Sequence, residues 1–469
     1  MISIFLYIWS VKVATKHSKI VANHIKYENH KNKQIMKKNY FLIIGLLITT
    51  LVNSQTIQTI AGNGTSGFSG DNGLAINAQL NYPRDVDADS YGNVYFTDRE
   101  NNRIRKIDTN GIITTVAGTG VAGYSGDGSF AVNAQIHYPM GIKIDSNDNI
   151  YFVDNNNHCI RKINVNGIIT TIAGNGTSGF SGDNGLAINS QLYLPQDIAI
   201  DSQNNIYIAD SYNRRIRKID VTNGIITTIG GNGNNSTSGD GNLAINSSIA
   251  YPTNLFVDNN ANVYLCDWSD HIIREIDTNG IITTIAGIGT AGYTGDNGLA
   301  TGAKLHSPSG ITVINGEVYF ADRDNQCIRK IDTNGIITTY AGGTWGCNAD
   351  GDLIDFTSKS IIGLNYKNGE LYIVNQSFCN TIAKITDNSL VIKDNILLNF
   401  SVYPIPTNNI LNIKSKTKII KLEVFSKLGQ KIKETTKNHI DISNLSQGFY
   451  FVRVKDIDGN IGVKKIIKK

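Results

Sequence analysis

The sequence predicts an all-β protein whose main part is a six-bladed β-propeller with four-stranded blades. The composition favours turns and strands, because the chain has 46 glycines, only 7 prolines and 17% charged residues. A segment of about 56 residues recurs along most of the 469-residue chain, which indicates a repeat array rather than one ordinary core. Each copy contains four short apolar or alternating runs separated by Asp, Asn and Gly, as expected for strands joined by tight turns.

The N-terminal region predicts an exported protein. The stretch MKKNYFLIIGLLITTLVNSQ has two lysines, an apolar run over residues 40–52 and small residues before Gln55, the pattern of a secretory signal peptide over residues 36–54. Residues 1–35 are interpreted as a start-site extension, with translation beginning at Met36. The alternative, a transmembrane anchor, is disfavoured because the apolar run is shorter than the ~20 residues that a span needs.

Two motifs define the repeat. IRKIDTNGIITTVAG begins at Ile104 and returns in related form at Ile160, Ile216, Ile273 and Ile328. NVYFTD (Asn93 to Asp98) also recurs, and its sixth, degenerate copy is ELYIVN. In the first unit we expect strands over residues 85–88, 94–97, 104–107 and 112–116. One such meander cannot bury both of its faces, so the copies must stack, and radial stacking into a propeller limits the exposed edges.

The ends of the array predict how the ring closes. The first three strands of the unit occur six times, but the first copy of the fourth strand, IQTIAG (residues 57–62), precedes all of them. We therefore expect this N-terminal strand to complete the sixth blade in a propeller domain over residues 55–390. An alternative is that residues 390–392 supply the strand.

The stretch GDNGLAINAQLNYPRDVDADSYGNVYFTDRENNRIRKIDTNGIITTVAG (residues 70–118) resembles the NHL-repeat β-propellers. The resemblance covers residues 56 to about 385, because the Asp-Gly loop, the Leu-x-x-Pro element and the two motifs recur in the same order. The sixth copy departs from the pattern, since Asn375 replaces Asp98 and Ala383 replaces Arg105. We interpret this aspartate as turn-holding and this arginine as an inter-blade partner.

Beyond a linker over residues 391–399, residues 400–469 are Lys-rich and contain alternating strands such as GFYFVRV. Tyr403-Pro404-x-Pro406, Leu428-Gly429-Gln430, Gly448-x-Tyr450 and the basic last strand resemble the type A C-terminal sorting domain of the type IX secretion system. The resemblance implies a small Ig-like β-sandwich, recognition by the type IX machinery, and a secreted or cell-surface location reached through the periplasm and outer membrane. An ordinary adhesive β-sandwich is the alternative.

The long connections between blades carry the first candidate binding residues. Three residues before a recurrent aspartate, such as Asp71, most copies have an aromatic residue. These aromatics are Phe68, Tyr124, Phe180 and Tyr293. They could form platforms for sugars or peptides. The alternative is structural, with the aspartate capping its own loop and the aromatic packing the loop onto its neighbour.

The copies differ most just after Leu-x-x-Pro, where we expect the mouth of the channel. The pairs there are Arg84-Asp85, Met140-Gly141, Gln196-Asp197, Thr253-Asn254, Ser309-Gly310 and Lys359-Ser360. Arg84 and Gln196 are candidate binding residues. Asp85, Asp197 and Asn254 are candidate oxygen ligands for a hard cation such as Ca²⁺, as in some six-bladed propeller enzymes, lactonases among them. Arg84 and Lys359 would repel such a cation.

Two of the five cysteines are candidates for a disulfide. Cys347 and Cys379 belong to the least regular blade and are expected on the same face, so a bridge between them is the candidate, which would brace this blade. Cys159 and Cys327 occupy the same position in blades on opposite sides of the ring, which excludes a bond between them.

The sequence therefore predicts a secreted or surface-attached binding module for a protein or carbohydrate. The alternative is a metal-assisted lyase or lactonase-like hydrolase with an axial site, and a structural spacer is a third possibility. No catalytic residue is assigned, because no pair of nucleophile and base occurs outside the repeated consensus. A nucleic-acid partner is not expected, because no basic face is interleaved with stacking aromatics. No transmembrane segment is expected after signal cleavage.

Overall fold

The computed structural model describes residues 56–342, 351–352, 360–376, 379–386, 400–403, 410–415, 417–426, 431–457 and 461–468. Within these ranges the chain consists of β-strands and short 3-10 helices. No helix in them has the length and apolar character to cross a membrane. The predicted signal peptide and start-site extension, Cys347, Lys359 and the alternative closing strand at residues 390–392 lie outside the described residues.

Six sheets occupy residues 56–386 of the described chain. Strand β1 is Thr56–Ala61. The first sheet contains β2 (Pro83–Ala88), β3 (Val94–Asp98), β4 (Arg103–Ile107) and β5 (Ile113–Ala117). The second contains β6 (Pro139–Ile144), β7 (Ile150–Asp154), β8 (Cys159–Ile163) and β9 (Ile169–Ala173). The third contains β10 (Gly185–Leu186), β11 (Asp197–Ile200), β12 (Ile206–Asp210), β13 (Arg215–Asp220) and β14 (Ile225–Gly230).

The next two sheets repeat this order. The fourth contains β15 (Asn242–Leu243), β16 (Pro252–Val257), β17 (Val263–Asp267), β18 (Ile272–Ile276) and β19 (Ile281–Ala286). The fifth contains β20 (Gly298–Leu299), β21 (Pro308–Ile314), β22 (Glu317–Asp322), β23 (Cys327–Ile331) and β24 (Ile336–Gly342). The sixth contains β25 (Gly351–Asp352), β26 (Ile361–Lys367), β27 (Glu370–Asn375) and β28 (Thr381–Thr386), together with β1.

The N-terminal strand completes the sixth sheet, as the sequence predicts. β1 pairs antiparallel with β28, with Ile57 opposite Ile385, and β25 pairs with its outer side. The innermost strands contact one another in the order β2, β6, β11, β16, β21 and β26, and β26 contacts β2 again. The six sheets therefore form a closed ring. Its core lies between neighbouring sheets, as where Val86 and Phe96 pack against Val374.

The connections between sheets hold the remaining regular structure. Short 3-10 helices follow the long loops at Ala75–Asn77, Ala131–Asn133, Ala187–Asn189, Ala244–Asn246 and Ala300–Gly302. Others lie in the turns after the second long strand at Arg99–Asn101, Asn155–Asn157, Ser211–Asn213 and Arg323–Asn325. The amide of Asn101 donates to the carbonyl of Gly67 at 2.7 Å. The turns and the long loops therefore lie on the same face, which we call the loop face.

The C-terminal region forms two sheets that share one apolar core. One sheet contains β29 (Phe400–Tyr403), β30 (Ile410–Ser415) and β33 (His439–Asp441). The other contains β31 (Ile419–Ser426), β32 (Lys431–Thr435), β34 (Gly448–Asp456) and β35 (Ile461–Lys468). Leu411 from the first sheet packs with Val424 and Val452 from the second. This arrangement is the small β-sandwich that the sequence predicts.

Candidate functional site

A cavity of about 510 Å³ opens on the loop face, where the innermost strands begin. Each of the six sheets contributes the residue at the same repeat position, directly after the conserved proline in the first five. These rim residues are Arg84, Met140, Gln196, Thr253, Ser309 and Ile362. The rim is therefore different in every copy, although the strands behind it repeat. A volume of this size is within the range of small-molecule sites.

In the sixth sheet the rim position differs from the sequence-based assignment. The register of β26 on β27 aligns Ile361 with the prolines of the other sheets. Ile362 therefore takes the rim position, and the assignment of Lys359 and Ser360 to it was wrong. The repeat has lost its proline in this copy, which removed the marker for the alignment.

A second group of cavity residues follows the aspartate that ends the second long strand of each sheet. They are Arg99, Trp268, Arg323 and, after Asn375, Gln376. The tight turn at this point aims the first residue after the strand toward the axis. Sequence reasoning missed this group because it treated the aspartate as the informative residue. The copy-to-copy variation at the next position was the signal that could have found it.

Four arginines line the cavity, and no carboxylate does so among the described lining residues. The guanidinium of Arg99 is 2.7 Å from Glu100, and that of Arg323 is 3.8 Å from Asp324. Arg84 and Arg214 have no ion pair with any described carboxylate. Burial, and then the charges of Arg323 and Arg99, lower the pKa of Arg84 to about 10. Arg84 therefore remains a cation at neutral pH.

The wall from the third and fourth sheets is aromatic. The rings of Tyr193 and Tyr212 lie 5.0 Å apart, those of Tyr212 and Tyr251 5.5 Å, and those of Tyr251 and Trp268 6.1 Å. The last two contacts are edge-to-face, the geometry that aromatic quadrupoles favour. Tyr212, Tyr251 and Trp268 also line the cavity. The cavity thus combines a cationic side with an aromatic side.

Below the rim, the three residues predicted as metal ligands lie near one another around a lysine. The ammonium of Lys143 is 2.6 Å from the carboxylate of Asp85 and 3.9 Å from that of Asp197. The side-chain amide of Asn254 donates to Asp197 at 3.4 Å. Both aspartates also accept backbone N–H groups from the next sheet, that of Ile142 at Asp85 and that of Leu255 at Asp197, each at 2.9 Å. These carboxylates therefore link neighbouring sheets.

The ammonium of Lys143 provides the positive charge for which the sequence-based prediction proposed a metal ion. Burial lowers its pKa, but Asp85 and Asp197 raise it more, so it stays above its ordinary value of 10.5. Among the described residues, no cluster of three or more His, Cys, Asp or Glu side chains could hold a metal ion. The Ca²⁺ site at Asp85, Asp197 and Asn254 stays a prediction, and it would require displacement of the ammonium.

The loop aromatics lie away from the cavity, over arginines of the sheet that each loop covers. The guanidinium carbon of Arg103 is 3.6 Å from the ring centroid of Phe68, and that of Arg105 is 4.8 Å. Equivalent contacts join Phe180 to Arg215 and Arg217, Tyr124 to Arg161, and Tyr293 to Arg329. Each ring still has two fifths or more of its surface exposed. Each of these aromatic rings therefore packs on an arginine of the protein and leaves part of its surface open to solvent.

In four of the sheets, the arginine under the loop carries two ion pairs, whereas Arg274 of the fourth sheet pairs with the loop carboxylate of Asp240 alone. Arg105 contacts the loop carboxylate of Asp71 at 2.8 Å and the strand carboxylate of Asp98 at 3.2 Å. The predicted inter-blade role was wrong, because both contacts are within one sheet and the loop that covers it. Burial raises the pKa of Asp98 to about 6 against the opposing hydrogen bonds and Arg105. The same pairs recur at Arg161, Arg217 and Arg329.

The described cysteines divide into bonded and free. Cys379 is disulfide-bonded. Cys159, Cys266 and Cys327 are free and buried. The predicted partner of Cys379, Cys347, lies outside the described residues, so the pairing of these two stays a prediction.

A ring of sheets with four long strands each and a copy-specific axial cavity defines the class as a β-propeller, and sequence comparisons give the family. The teneurin NHL domain family matches residues 31–124, 121–179 and 288–401, and the NHL repeat family matches residues 192–219. The secretion system C-terminal sorting domain family matches residues 401–469. The chain belongs to the NHL-repeat proteins and ends in a type IX sorting domain, which supports export to the surface or the medium.

Curated relatives share the repeat region. SUPPRESSOR OF QUENCHING 1 of Arabidopsis thaliana is 28% identical over 303 residues, which cover 59% of this chain and 27% of that protein. Teneurin-1 of Homo sapiens is 31% identical over 281 residues, which cover 51% of this chain and 10% of that protein. The chain thus spans between a tenth and about a quarter of the length of these relatives.

Solved structures share the fold. A protein of unknown function from Bacteroides thetaiotaomicron has a TM-score of 0.53 at 21% identity, over 71% of this chain and 76% of its own. An auxiliary nutrient binding protein from Bacteroides ovatus has a TM-score of 0.52 at 17% identity, over the same shares. At these identities the likeness concerns the fold alone.

Proposed function

We propose that the protein is a secreted or cell-surface binding module, exported by the type IX route, which binds a protein or carbohydrate through the cavity on its loop face. The observation that carries this proposal is the rim. Six sheets built from one repeat present six different side chains there, whereas buried arginines recur unchanged in five of them. A ligand site needs one asymmetric set of side chains, whereas residues that stabilise each repeat in the same way are expected to recur.

The shape and lining of the cavity support binding. It is concave, and its walls combine aromatic rings with a few convergent polar groups, as is general for small-ligand sites. The solved protein from Bacteroides ovatus is described as nutrient binding, a description of that protein at 17% identity. It is compatible with the proposal and does not carry it.

The alternative is a metal-assisted lyase or lactonase-like hydrolase. It requires a cation at Asp85, Asp197 and Asn254, next to the ammonium of Lys143. Added Ca²⁺ or Zn²⁺ should then raise the melting temperature, because a ligand that binds only the native state stabilises it. A rise that is absent in Asp85→Ala and Asp197→Ala would favour this alternative over the binding module.

The test of the proposed function is a screen of the purified exported protein against immobilised glycans and purified surface proteins. Three forms are compared: the wild type, a cavity variant with Trp268→Ala and Arg323→Gln, and a loop variant with Tyr124→Ala and Tyr293→Ala. We expect a ligand that the wild type and the loop variant bind and the cavity variant does not. Equal binding by the cavity variant, or no ligand for the wild type, would contradict the proposal.

A further inference from the structure

Arg84 has a buried guanidinium that makes no ion pair with a described carboxylate, and Asp197 and Asp85 act on its charge only from beyond ion-pair distance. Arg84 is only 6% exposed, and its Nη1 has no hydrogen-bond partner among the described groups. It lines the cavity, and no described carboxylate lies within ion-pair distance of it. A buried cation is unfavourable unless it is paired. An anionic group on a ligand would supply the missing partner.

Arg214 adds a second cation without a carboxylate partner. It ends the turn Ser211–Asn213 in a left-handed conformation with φ 55°, and its Nε donates to the amide oxygen of Asn235 at 3.3 Å. Arg99 and Arg323 have nearby acids, which leaves Arg84 and Arg214 as the two guanidinium groups available to a ligand. Guanidinium groups match carboxylate, sulfate and phosphate oxygens through paired hydrogen bonds.

The opposite wall suits a ring with apolar faces and a polar edge. Tyr251 and Trp268 present adjacent aromatic rings, and the buried indole N–H of Trp268 has no acceptor among the described groups. The side-chain amide of Gln196 adds a further hydrogen-bonding group to the lining. The hydroxyls of Thr253 and Ser309 donate to backbone carbonyls and offer their oxygens as acceptors. A sugar has this combination of apolar C–H faces and peripheral hydroxyls.

We propose that the cavity binds an acidic saccharide, with the anionic substituent at Arg84 and the sugar ring against Tyr251 and Trp268. This inference rests on the proposed binding function and adds the chemical class of its ligand. The positive charge of the arginines favours an acidic sugar over a neutral one. The aromatic wall favours a sugar ring over a small free anion. Arg214, which is partly exposed, takes a second anionic group or the adjacent residue of the saccharide.

The test is calorimetric titration of the full exported protein with digalacturonate. The comparison probes are a neutral digalactoside, galactose 6-sulfate, galactose 6-phosphate and citrate. We expect digalacturonate to bind at least tenfold more tightly than the neutral digalactoside, and more tightly than citrate. Binding should weaken as ionic strength rises, because charge pairs are screened. The sulfate and phosphate probes identify which anion the site prefers.

Variants separate the two sides of the site. Arg84→Gln should remove the preference for the acidic sugar. Arg214→Gln should reduce it at a smaller folding risk, because Arg214 is partly exposed and has no ion pair with a described carboxylate. Trp268→Ala should weaken acidic and neutral sugars alike. Arg103→Gln is the matched control, because this arginine stacks on Phe68 outside the cavity, and it should bind digalacturonate like the wild type.

Equal affinity for acidic and neutral sugars, or an unchanged preference in both Arg84→Gln and Arg214→Gln, would overturn the inference. If the acidic sugars fail but another ligand from the broad screen binds and is lost in the cavity variant, the ligand class is wrong and the binding function stands. If no ligand binds in either experiment, both proposals fail.

Discussion

At the periphery of the loop face, five of the six sheets use the same groups: a buried arginine and a loop aspartate, with an aromatic ring over the pair in four of them. At the axis of the same face, no two of the six rim residues are alike. At the periphery, the same contacts attach a long loop to the outer edge of each of these sheets. The axis is where the copies have become different, and a difference between copies is what a ligand can recognise.

The sixth sheet sharpens this contrast. It lacks the buried arginine and the strand aspartate, having Ala383 and Asn375 in their places, and its Cys379 is disulfide-bonded. The ion pairs are therefore one way to secure a sheet and are not required by the ring itself.

The largest expected effect is at a peripheral ion pair. Arg161→Ala leaves the carboxylate of Asp154 buried without its partner, which should lower the free energy of unfolding by about 3–5 kcal/mol. Asp154→Asn combined with Arg161→Ala copies the sixth sheet and should cost less than the single change. Urea unfolding measures both. If the double variant is the less stable of the two, the contrast with the sixth sheet is wrong.

Next in size is the loss of Lys143 at the axis. Lys143→Met leaves Asp85 and Asp197 without their ammonium and should cost about 3 kcal/mol near neutral pH. Burial, offset in part by Lys143, already raises the pKa of Asp197 to about 6, above its ordinary value of 3.8. The contribution of the Asp197 carboxyl group to the free energy of unfolding is therefore complete below pH 3.8, and it is lost as the pH rises through about 6.

Removal of the ammonium raises that pKa further, so the cost of Lys143→Met should be greatest at about pH 7 and should shrink toward about pH 5. Melting temperatures of variant and wild type across this range check the sign. A cost that grows as pH falls would mean that Asp197 is not the group left without a partner.

A smaller effect is expected from crowding at the axis. A Cβ on Gly141 would overlap the Oδ1 of Asp197 and would lie 2.7 Å from the Cα of that residue. Gly141→Ala must therefore displace backbone as well as side chain, and it should cost about 1–3 kcal/mol. Gly302→Ala is the control, because nothing lies within 4 Å of its Cβ position. Thermal unfolding compares the two. Equal stability would show that the axial layer has room to adjust.

The smallest effect is expected at a loop aromatic. Phe68→Ala removes a ring that is 40% exposed and stacks on Arg103 and Arg105, so it should cost about 1 kcal/mol. Ligand binding in the cavity should not change. A loss of ligand affinity in this variant, with stability retained, would move the binding site from the axis to the loops.

Much of this fold follows from the sequence, because nearly identical segments recur at a regular spacing and each contains the same pattern of strands. The early copy of the fourth strand predicted the closure by β1. The variable position after the proline led to Arg84 and Gln196 at the rim. These predictions succeeded where a consensus residue marks the register for its variable neighbours.

The rest depends on contacts that no local pattern encodes. Lys143 lies two residues beyond Gly141 in one copy only, and its role depends on Asp85 and Asp197 from two neighbouring sheets. Trp268 belongs to the cavity because of the geometry of its turn, and its aromatic partner Tyr251 in turn contacts Tyr212 of the third sheet. In the sixth copy, no proline marks the start of the innermost strand. The sequence alignment therefore assigned Lys359 and Ser360 to the rim instead of Ile362.

The central claim is that the ligand binds at the copy-specific axis, and a crystal structure of the protein with digalacturonate tests it most directly. The account predicts density in the cavity, with the carboxylate within hydrogen-bond distance of the Arg84 guanidinium and a sugar ring against Tyr251 and Trp268. A saccharide bound at the loop aromatics, with the cavity free of it, would contradict the account.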